Sequence, residues 1–267
     1  MAGESWKSPE GSLTFEAQGP VAFITINRPR QRNAMNQAMW QTLGEWVEQL
    51  PDEIRVLVLR GHNRIFTAGS DIHELAGVSA DRINRAFRVM DTSIQAIERS
   101  KVVTIASIDG TALGAGFILA LACDLRVGTP AVQFGMPVGR LGIMLQSPFL
   151  ERMIQVVGLS RVKDLVFTAR TYDAHEAKVA GILHYLVPAE ALEDETFSLA
   201  QRVLEQSAPS LTAVKENGKH VLTDSTAGSS SADWVGPHFA EGVRAFVEKR
   251  EPSFVERISI TDTAPCR

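Results

Sequence analysis

The sequence predicts an α/β protein, a core of largely parallel strands followed by a helical tail. Three observations carry that prediction. Residues 54–59 and 102–108 are short continuous apolar runs, the pattern of strands buried on both faces of a sheet. Stretches with helical apolar spacing alternate with such runs, as they do in parallel sheets. From Glu190 onward the pattern is almost wholly helical.

The elements follow in order. Residues 13–17 and 21–27 flank Gly19-Pro20 and are rich in strand formers, which predicts a hairpin. Asn27-Arg28-Pro29-Arg30 breaks it, and Asn36 is placed to cap a helix whose Met39, Leu43, Trp46, Val47 and Leu50 share a face. The strand at 54–59 leads into a glycine-containing loop over 61–71. Ile83, Phe87, Met90, Ile94 and Ile97 then recur at helical spacing over 81–100. The strand at 102–108 ends in an Asp109-Gly110 turn, after which a helix opens on Gly114-Ala115-Gly116 and runs to Cys123. Short strands at 125–127 and 132–134 and helices over 148–157 and 160–168 come next. A short helix begins with Asp173 and Glu176 at capping-box spacing and ends at Gly181, before a last strand at 184–187. In the tail, Pro209 and the polar segment 223–232 interrupt the helices, and the latter predicts a flexible loop.

At 267 residues, 45% of them hydrophobic, the chain can bury a sizeable core. The net charge of −4 makes no electrostatic case for nucleic acid or an anionic membrane as partner. Two cysteines, Cys123 and Cys266, form no disulfide framework or metal cluster, which suits a reducing compartment. The first ten residues lack the apolar core of a signal peptide, and the apolar run 112–123 is far short of the roughly 20 residues that span a bilayer. A cytoplasmic protein is expected.

Gly110, Gly114 and Gly116 do not spell a dinucleotide fingerprint, and no phosphate-loop motif is present. Ser70 lies outside any nucleophile elbow, and the six histidines lack metal-ligand spacing. What remains is a pair of loops, residues 68–71 and 113–116, each following a buried strand and preceding a helix. A helix start carries unpaired N–H groups at the positive end of its dipole. If the strands are neighbours, two such groups converge on one oxygen, and each donor of an oxyanion hole is worth about 3–4 kcal/mol to a transition state. Close helix–strand packing accounts for the small residues equally well.

In sequence the chain resembles the enoyl-CoA hydratase/isomerase (crotonase) family along nearly its whole length. The matching pieces are Ile24-Thr25-Ile26-Asn27-Arg28-Pro29 with Asn33-Ala34; Phe66-Thr67-Ala68-Gly69-Ser70-Asp71-Ile72; Asp109-Gly110 with Gly114-Ala115-Gly116; Cys123-Asp124; Gln133-Phe134-Gly135 with Pro137; and the stretch from Gly242 to Arg250. Their order and spacing are specific where no single piece is. The resemblance implies a crotonase-like spiral of β-β-α units over residues 1–195 and a helical trimerisation region over 196–267. It implies acyl-CoA thioester substrates, with coenzyme A as part of the substrate and no separate cofactor or metal, in fatty acid metabolism, and a homotrimer or dimer of trimers. By motif position the oxyanion donors are the N–H groups of Ser70 and Ala115. Ala68, Gly69, Ser70, Asp71 and Ile72 match the segment that curves round the CoA adenine, Gly114 matches a CoA- or substrate-binding position, and Arg30, Phe246 and Lys249 match positions that meet CoA.

The chain also departs from the pattern. Hydration in this family uses two glutamates, and those places read Ile118 and Val138 here. A third position, aspartate in some related enzymes, is Gln146, which can bond but cannot take a proton. Arg140 either holds a substrate carboxylate or forms a salt bridge. The expectation is an acyl-CoA enzyme of the lyase or isomerase class that stabilises a thioester enolate without standard hydration. A decarboxylase or thioester hydrolase on the same scaffold, or a non-catalytic acyl-CoA binder, stands beside it. Asp71, His73 and Glu74 are candidates to move a proton from outside the standard positions, each also readable as structural.

Overall fold

A computed structural model describes residues 4–223 and 236–254. The chain divides into two compact units, residues 1–201 and 202–267. In chain order the elements are β1 (Ser5–Lys7), β2 (Leu13–Gln18), β3 (Val21–Ile26), α1 (Gln37–Glu48), β4 (Val56–Gly61), α2 (Ala80–Arg99), β5 (Val103–Ile108), β6 (Thr111–Leu113), α3 (Ala115–Ala122), β7 (Leu125–Gly128), β8 (Gln133–Gly135), α4 (Ser147–Thr168), β9 (Thr171–Asp173), α5 (Ala174–Val179), β10 (Tyr185–Leu186), α6 (Leu192–Leu204), α7 (Ala208–Thr223) and α8 (Phe239–Glu248).

The first unit holds a seven-stranded sheet, order β1-β2-β3-β4-β5-β7-β10, and a three-stranded sheet, order β6-β8-β9. In the larger sheet the hairpin β2–β3 is antiparallel and every pairing from β3 across to β10 is parallel; in the smaller one β6–β8 is parallel and β8–β9 antiparallel. The predicted strands at 54–59 and 102–108 are β4 and β5, side by side in register Val58 to Ile105. Their side chains are buried from Val56 to Leu59 and from Thr104 to Ile108, the two-sided burial that continuous apolar runs encode. Asn36 caps α1 by accepting the Met39 N–H at 2.9 Å, and Asp173 and Glu176 close a capping box on α5. The expected pair of helices over 148–168 is present as the two halves of α4, which part at Gly158, whose φ of 76° and ψ of 154° leave the helical region.

The spiral arises from repetition. After each long strand the chain makes a short second one in another layer, then a helix. Thr67 plays that part after β4, pairing as an isolated bridge with Ala112 of β6; β6 follows β5, and β8 follows β7. The sequence analysis did not pick out β1, β6 or β9. Each is three residues long, too short for period-two alternation to register. The turn at 109–110 is braced by the Asp109 carboxylate, which accepts from Thr129 Oγ1 at 2.6 Å and Arg64 Nε at 3.0 Å. Asp124 ties the end of α3 to β5, its Oδ2 accepting the Thr104 N–H at 2.7 Å. Arg126, buried, donates to the Ile182 and Cys123 carbonyls at 2.5 and 2.6 Å, and desolvation lowers its pKa.

In the second unit Pro209 lies in the first turn of α7, where its missing N–H costs nothing. The His238 ring stacks on Phe254 at 5.1 Å and shares a hydrogen bond with Ser207 Oγ at 3.0 Å. Beyond Thr223, the expected loop at 223–232 lies outside the described residues. Among the described residues no helix is long and apolar enough to cross a membrane.

Candidate active site

The site grows from one fully buried side chain. Asn33 adopts a left-handed backbone, φ 56°, a conformation that asparagine tolerates better than most residues. Its Oδ1 accepts the Arg28 N–H at 2.8 Å, and its Nδ2 donates to the His62 and Ile65 carbonyls at 2.9 and 2.6 Å. Its own carbonyl accepts Thr67 Oγ1 at 2.7 Å, and that hydroxyl oxygen in turn accepts the Gly69 N–H at 3.0 Å. One residue thus fixes the turn after β3 and the loop after β4 through its side chain, and the start of residues 67–71 through its carbonyl.

The rest of the loop is held by its backbone and by Asp71. Met35 donates to the Gly69 carbonyl at 2.8 Å, Asp71 donates to the Met35 carbonyl at 2.9 Å, and Ala68 donates to the Arg32 carbonyl at 3.0 Å. The Asp71 carboxylate takes Arg28 Nη1 at 2.6 Å and caps His73 N–H at 3.1 Å. Every N–H from Thr67 to Asp71 is then committed except that of Ser70, which has no acceptor among the described residues.

The second loop mirrors the first. Leu113 and Gly114 donate to the Thr67 and Gly135 carbonyls, and Phe117 and Ile118 donate to the Gly114 carbonyl. Ala115, the first residue of α3, has no acceptor for its N–H among the described residues. The two loops touch backbone to backbone. A Cβ on Gly69 would stand 2.5 Å from the Leu113 carbonyl oxygen and 3.1 Å from Ala115 N; one on Gly116 would stand 2.6 Å from the Thr67 oxygen and 3.3 Å from Gly69 N. The glycines therefore serve a close approach, and Gly69 (φ 95°) and Gly114 (φ 53°) also need backbone that side chains resist.

Both unused donors open on a cavity of about 720 Å³. Its wall holds all five residues singled out in the sequence as catalytic positions: Ser70, Ala115, Ile118, Val138 and Gln146. Ala68, Ile72 and Gly114 also line it, whereas Gly69 and Asp71 support the loop from behind. Ile118 is 1% exposed and Val138 half-buried, so both positions are apolar in fact as in sequence. Gln146 donates to the Met144 carbonyl at 3.1 Å. Arg30 is exposed on the Pro29–Gln31 turn and does not line the cavity. Phe246 and Lys249, both exposed, belong to the second unit at the end of α8.

Of the sequence candidates for proton transfer, Asp71 is committed to Arg28, Glu74 accepts the Gln37 N–H at 2.8 Å, and His73 does not line the cavity. Arg140 is exposed, lies off the cavity wall and has no ion-pair partner among the described residues. What the sequence analysis missed is the polar edge of α2. Asn84, Arg88 and Asp91 line the cavity alongside Ile83, Phe87 and Met90. Their spacing was a readable signal, since a polar row one place beside an apolar row faces the same side of a helix. Met90 Sδ lies 3.1 Å from Ser70 Oγ, which seats this part of α2 against the oxyanion loop.

Asp91 is held from outside the cavity by Arg152 Nη1 at 3.0 Å and Gln95 Nε2 at 2.9 Å. Arg152 is 8% exposed, and Glu98 takes its Nε and Nη2 at 2.5 and 3.1 Å. Burial works to lower the Arg152 pKa, but the bonds and charge of Glu98, then of Asp91, outweigh it and leave it raised. Among the described residues no group of three or more His, Cys, Asp or Glu could hold a metal ion.

Known proteins resemble this chain in sequence and in fold. The family model described as enoyl-CoA hydratase/isomerase matches residues 16–257. The Mycobacterium bovis protein named as a probable enoyl-CoA hydratase, echA8, is 30% identical over 256 residues, covering 92% of this chain and 98% of its own. An enoyl-CoA hydratase/carnithine racemase from Magnetospirillum magneticum superposes with a TM-score of 0.85 at 26% identity, over 92% of this chain and 96% of that one. A Thermobifida fusca protein solved in complex with acetoacetyl-CoA gives a TM-score of 0.73 at 30% identity, over 81% and 89%.

Proposed function

The chain belongs to the enoyl-CoA hydratase/isomerase family, and from that premise we propose that it is an enzyme of the lyase or isomerase class acting on acyl-CoA thioesters. The N–H groups of Ser70 and Ala115 hold the thioester carbonyl and stabilise the enolate that forms when charge moves onto its oxygen. One observation carries this reading: two uncommitted backbone donors, in loops that touch, open on the same cavity. Coenzyme A enters as part of the substrate, and Arg30, Phe246 and Lys249 match family positions that meet it. Residues 196–267 serve self-association as a trimer or dimer of trimers in the cytoplasm. The exposed Val214, Val243, Phe246 and Val247 of that region support it.

Standard hydration is slow in this reading, because water addition needs a group to activate water and another to handle the α-proton. Ile118 and Val138 can do neither. The test is a mass-spectrometric screen of purified protein against a panel of acyl-CoA thioesters, with crotonyl-CoA hydration measured beside it. Binding and turnover of a panel member with crotonyl-CoA hydration near background is the expected result. A hydration rate typical of good hydratases overturns the wall assignment, and failure of every thioester to bind overturns the whole reading.

The apolar wall formed by Ile118, Met136 and Val138 favours one second reading, decarboxylation of a β-carboxyl thioester. An apolar surface desolvates the carboxylate, and loss of CO2 leaves the same enolate on the same two donors. The non-catalytic alternative loses ground because the cavity contains a carboxylate.

A further inference from the structure

Granted the reading above, in which an acyl thioester occupies the cavity, we propose that Asp91, on α2, is the catalytic residue that moves the substrate proton. Neither standard position can exchange a proton, yet a carboxylate projects from α2 onto the same cavity. Asp91 is the only carboxylate among the described residues that line it, beside the neutral Asn84 and Gln146 and the permanently charged Arg88.

The support behind Asp91 is more than an incidental surface pair needs. Desolvating a guanidinium is expensive, and a hydrophobic replacement is often as stable as a buried ion pair. Here Arg152 is buried all the same, gripped at two nitrogens by Glu98 and offering its third to Asp91 Oδ1, while Gln95 Nε2 donates to Asp91 Oδ2. Each Asp91 oxygen makes one such bond and keeps acceptor capacity for the cavity side. The helix bearing it is anchored as well, Ser93 Oγ donating to the Trp40 carbonyl at 2.5 Å. Its neighbour Met90 touches Ser70, so the carboxylate stands on the helical turn that adjoins the oxyanion loop. A first group held in one orientation by a second layer is what proton transfer at carbon requires.

One carboxylate is sufficient for an allylic shift. Asp91 takes a proton from the carbon next to the thioester carbonyl, and the electrons of that C–H bond form the dienolate. Its oxygen rests on the Ser70 and Ala115 N–H groups. The proton now on Asp91 is delivered to the γ-carbon, the double bond moves into conjugation with the thioester, and no water, oxidant or further reactant is consumed. Hydration would require a second group for water, and Ile118 and Val138 supply none.

The experiment uses a trans-β,γ-hexenoyl-CoA probe and the full-length protein. Conversion to the conjugated isomer is followed by absorbance, deuterium uptake from D2O by mass spectrometry, and binding by calorimetry. Wild-type protein should isomerise the probe, and Asp91→Asn should lose at least about 100-fold in rate, within the range for general acid–base groups, while binding changes less than about threefold. Asp91→Ser, which keeps a hydroxyl for Arg152, serves if Asp91→Asn does not fold, with the same loss expected. A folded neutral variant that isomerises and exchanges within threefold of wild type overturns the proposal. Wild-type protein that binds the probe but neither isomerises nor exchanges it also overturns it, and leaves acyl-CoA binding standing. Wild-type protein that binds neither this probe nor any panel thioester removes the underlying reading too.

Discussion

A main-chain donor cannot be deleted by ordinary mutagenesis, but proline removes one. Ala115 is the first residue of α3, the helical position where proline is best tolerated, because its N–H has no partner within the helix. In this chain the Ala115 N–H also has no acceptor elsewhere among the described residues. Ala115→Pro therefore breaks no intramolecular hydrogen bond, and the expected stability change is under about 1 kcal/mol, a shift of a few degrees in melting temperature at this size. Its effect on chemistry should be far larger. Loss of one oxyanion donor costs about 2.7–4 kcal/mol, or 100- to 1000-fold in turnover. The assay pairs thermal unfolding with solvent-deuterium exchange into the α-carbon of a bound acyl-CoA. Ala115→Gly is the control, since it keeps the donor. Exchange in Ala115→Pro equal to that of Ala115→Gly, with both proteins folded, would refute the oxyanion assignment.

Gly116→Ala keeps the helical backbone but drives a methyl to 2.6 Å from the Thr67 carbonyl oxygen. Overpacking of that kind costs about 1–3 kcal/mol, and spreading the two loops should weaken acyl-CoA binding by calorimetry as well. Asn33→Asp turns two donated bonds, to His62 and Ile65, into carboxylate facing carbonyl. Two buried acceptors left unsatisfied cost about 2–6 kcal/mol, measurable by urea unfolding. Burial first, then the positive charges of Arg126 and Lys178, lower the His184 pKa from 6.5 to about 4. The unfolded chain takes up this proton earlier than the folded one as pH falls, so stability is lost through the window from about 6.5 down to about 4 and is level above it. Urea midpoints at the two ends of that window should differ, and His184→Gln should narrow the difference. Ile118→Glu with Val138→Glu should raise crotonyl-CoA hydration above background at some cost in stability, Ile118 being 1% exposed; an unchanged rate in a folded double variant would count against the motif positions.

Much of the fold was legible because it rests on runs and periods. Two-sided strands such as β4 and β5 are continuous apolar words, and the 3.6-residue spacing of Ile83, Phe87, Met90 and Ile94 gave α2 its inner face, buried at Met90 and Ile94 and lining the cavity at Ile83 and Phe87. Caps were legible too, because Asn36 and Asp173 satisfy N–H groups a few residues away. The short strands were not. Their hydrogen bonds come from a layer set by residues a unit away in sequence, as when Thr67 pairs with Ala112. At the site the glycine loops could be read, but their contact could not, since Gly69 meets Leu113 only after the sheet has brought β4 beside β5. Asp91 escaped for a related reason. On one helix it looks like any solvated acid, and its meaning comes from Arg152, 61 residues further on.

The buried turn at Asn33 ties the site to the melting of the protein. Met35, Gly69 and Asp71 exchange hydrogen bonds across it, and the same residues frame the Ser70 donor. A ligand that engages Ser70 therefore clamps amides whose opening would otherwise be an early step in local unfolding. Acyl-CoA at 100 times its Kd adds about 2.7 kcal/mol to folding, enough to offset a moderate lesion at Asn33. A chain crippled at that turn should regain its melting temperature when its ligand is supplied, and slowed amide exchange at Met35 and Asp71 would mark the residues through which the rescue acts.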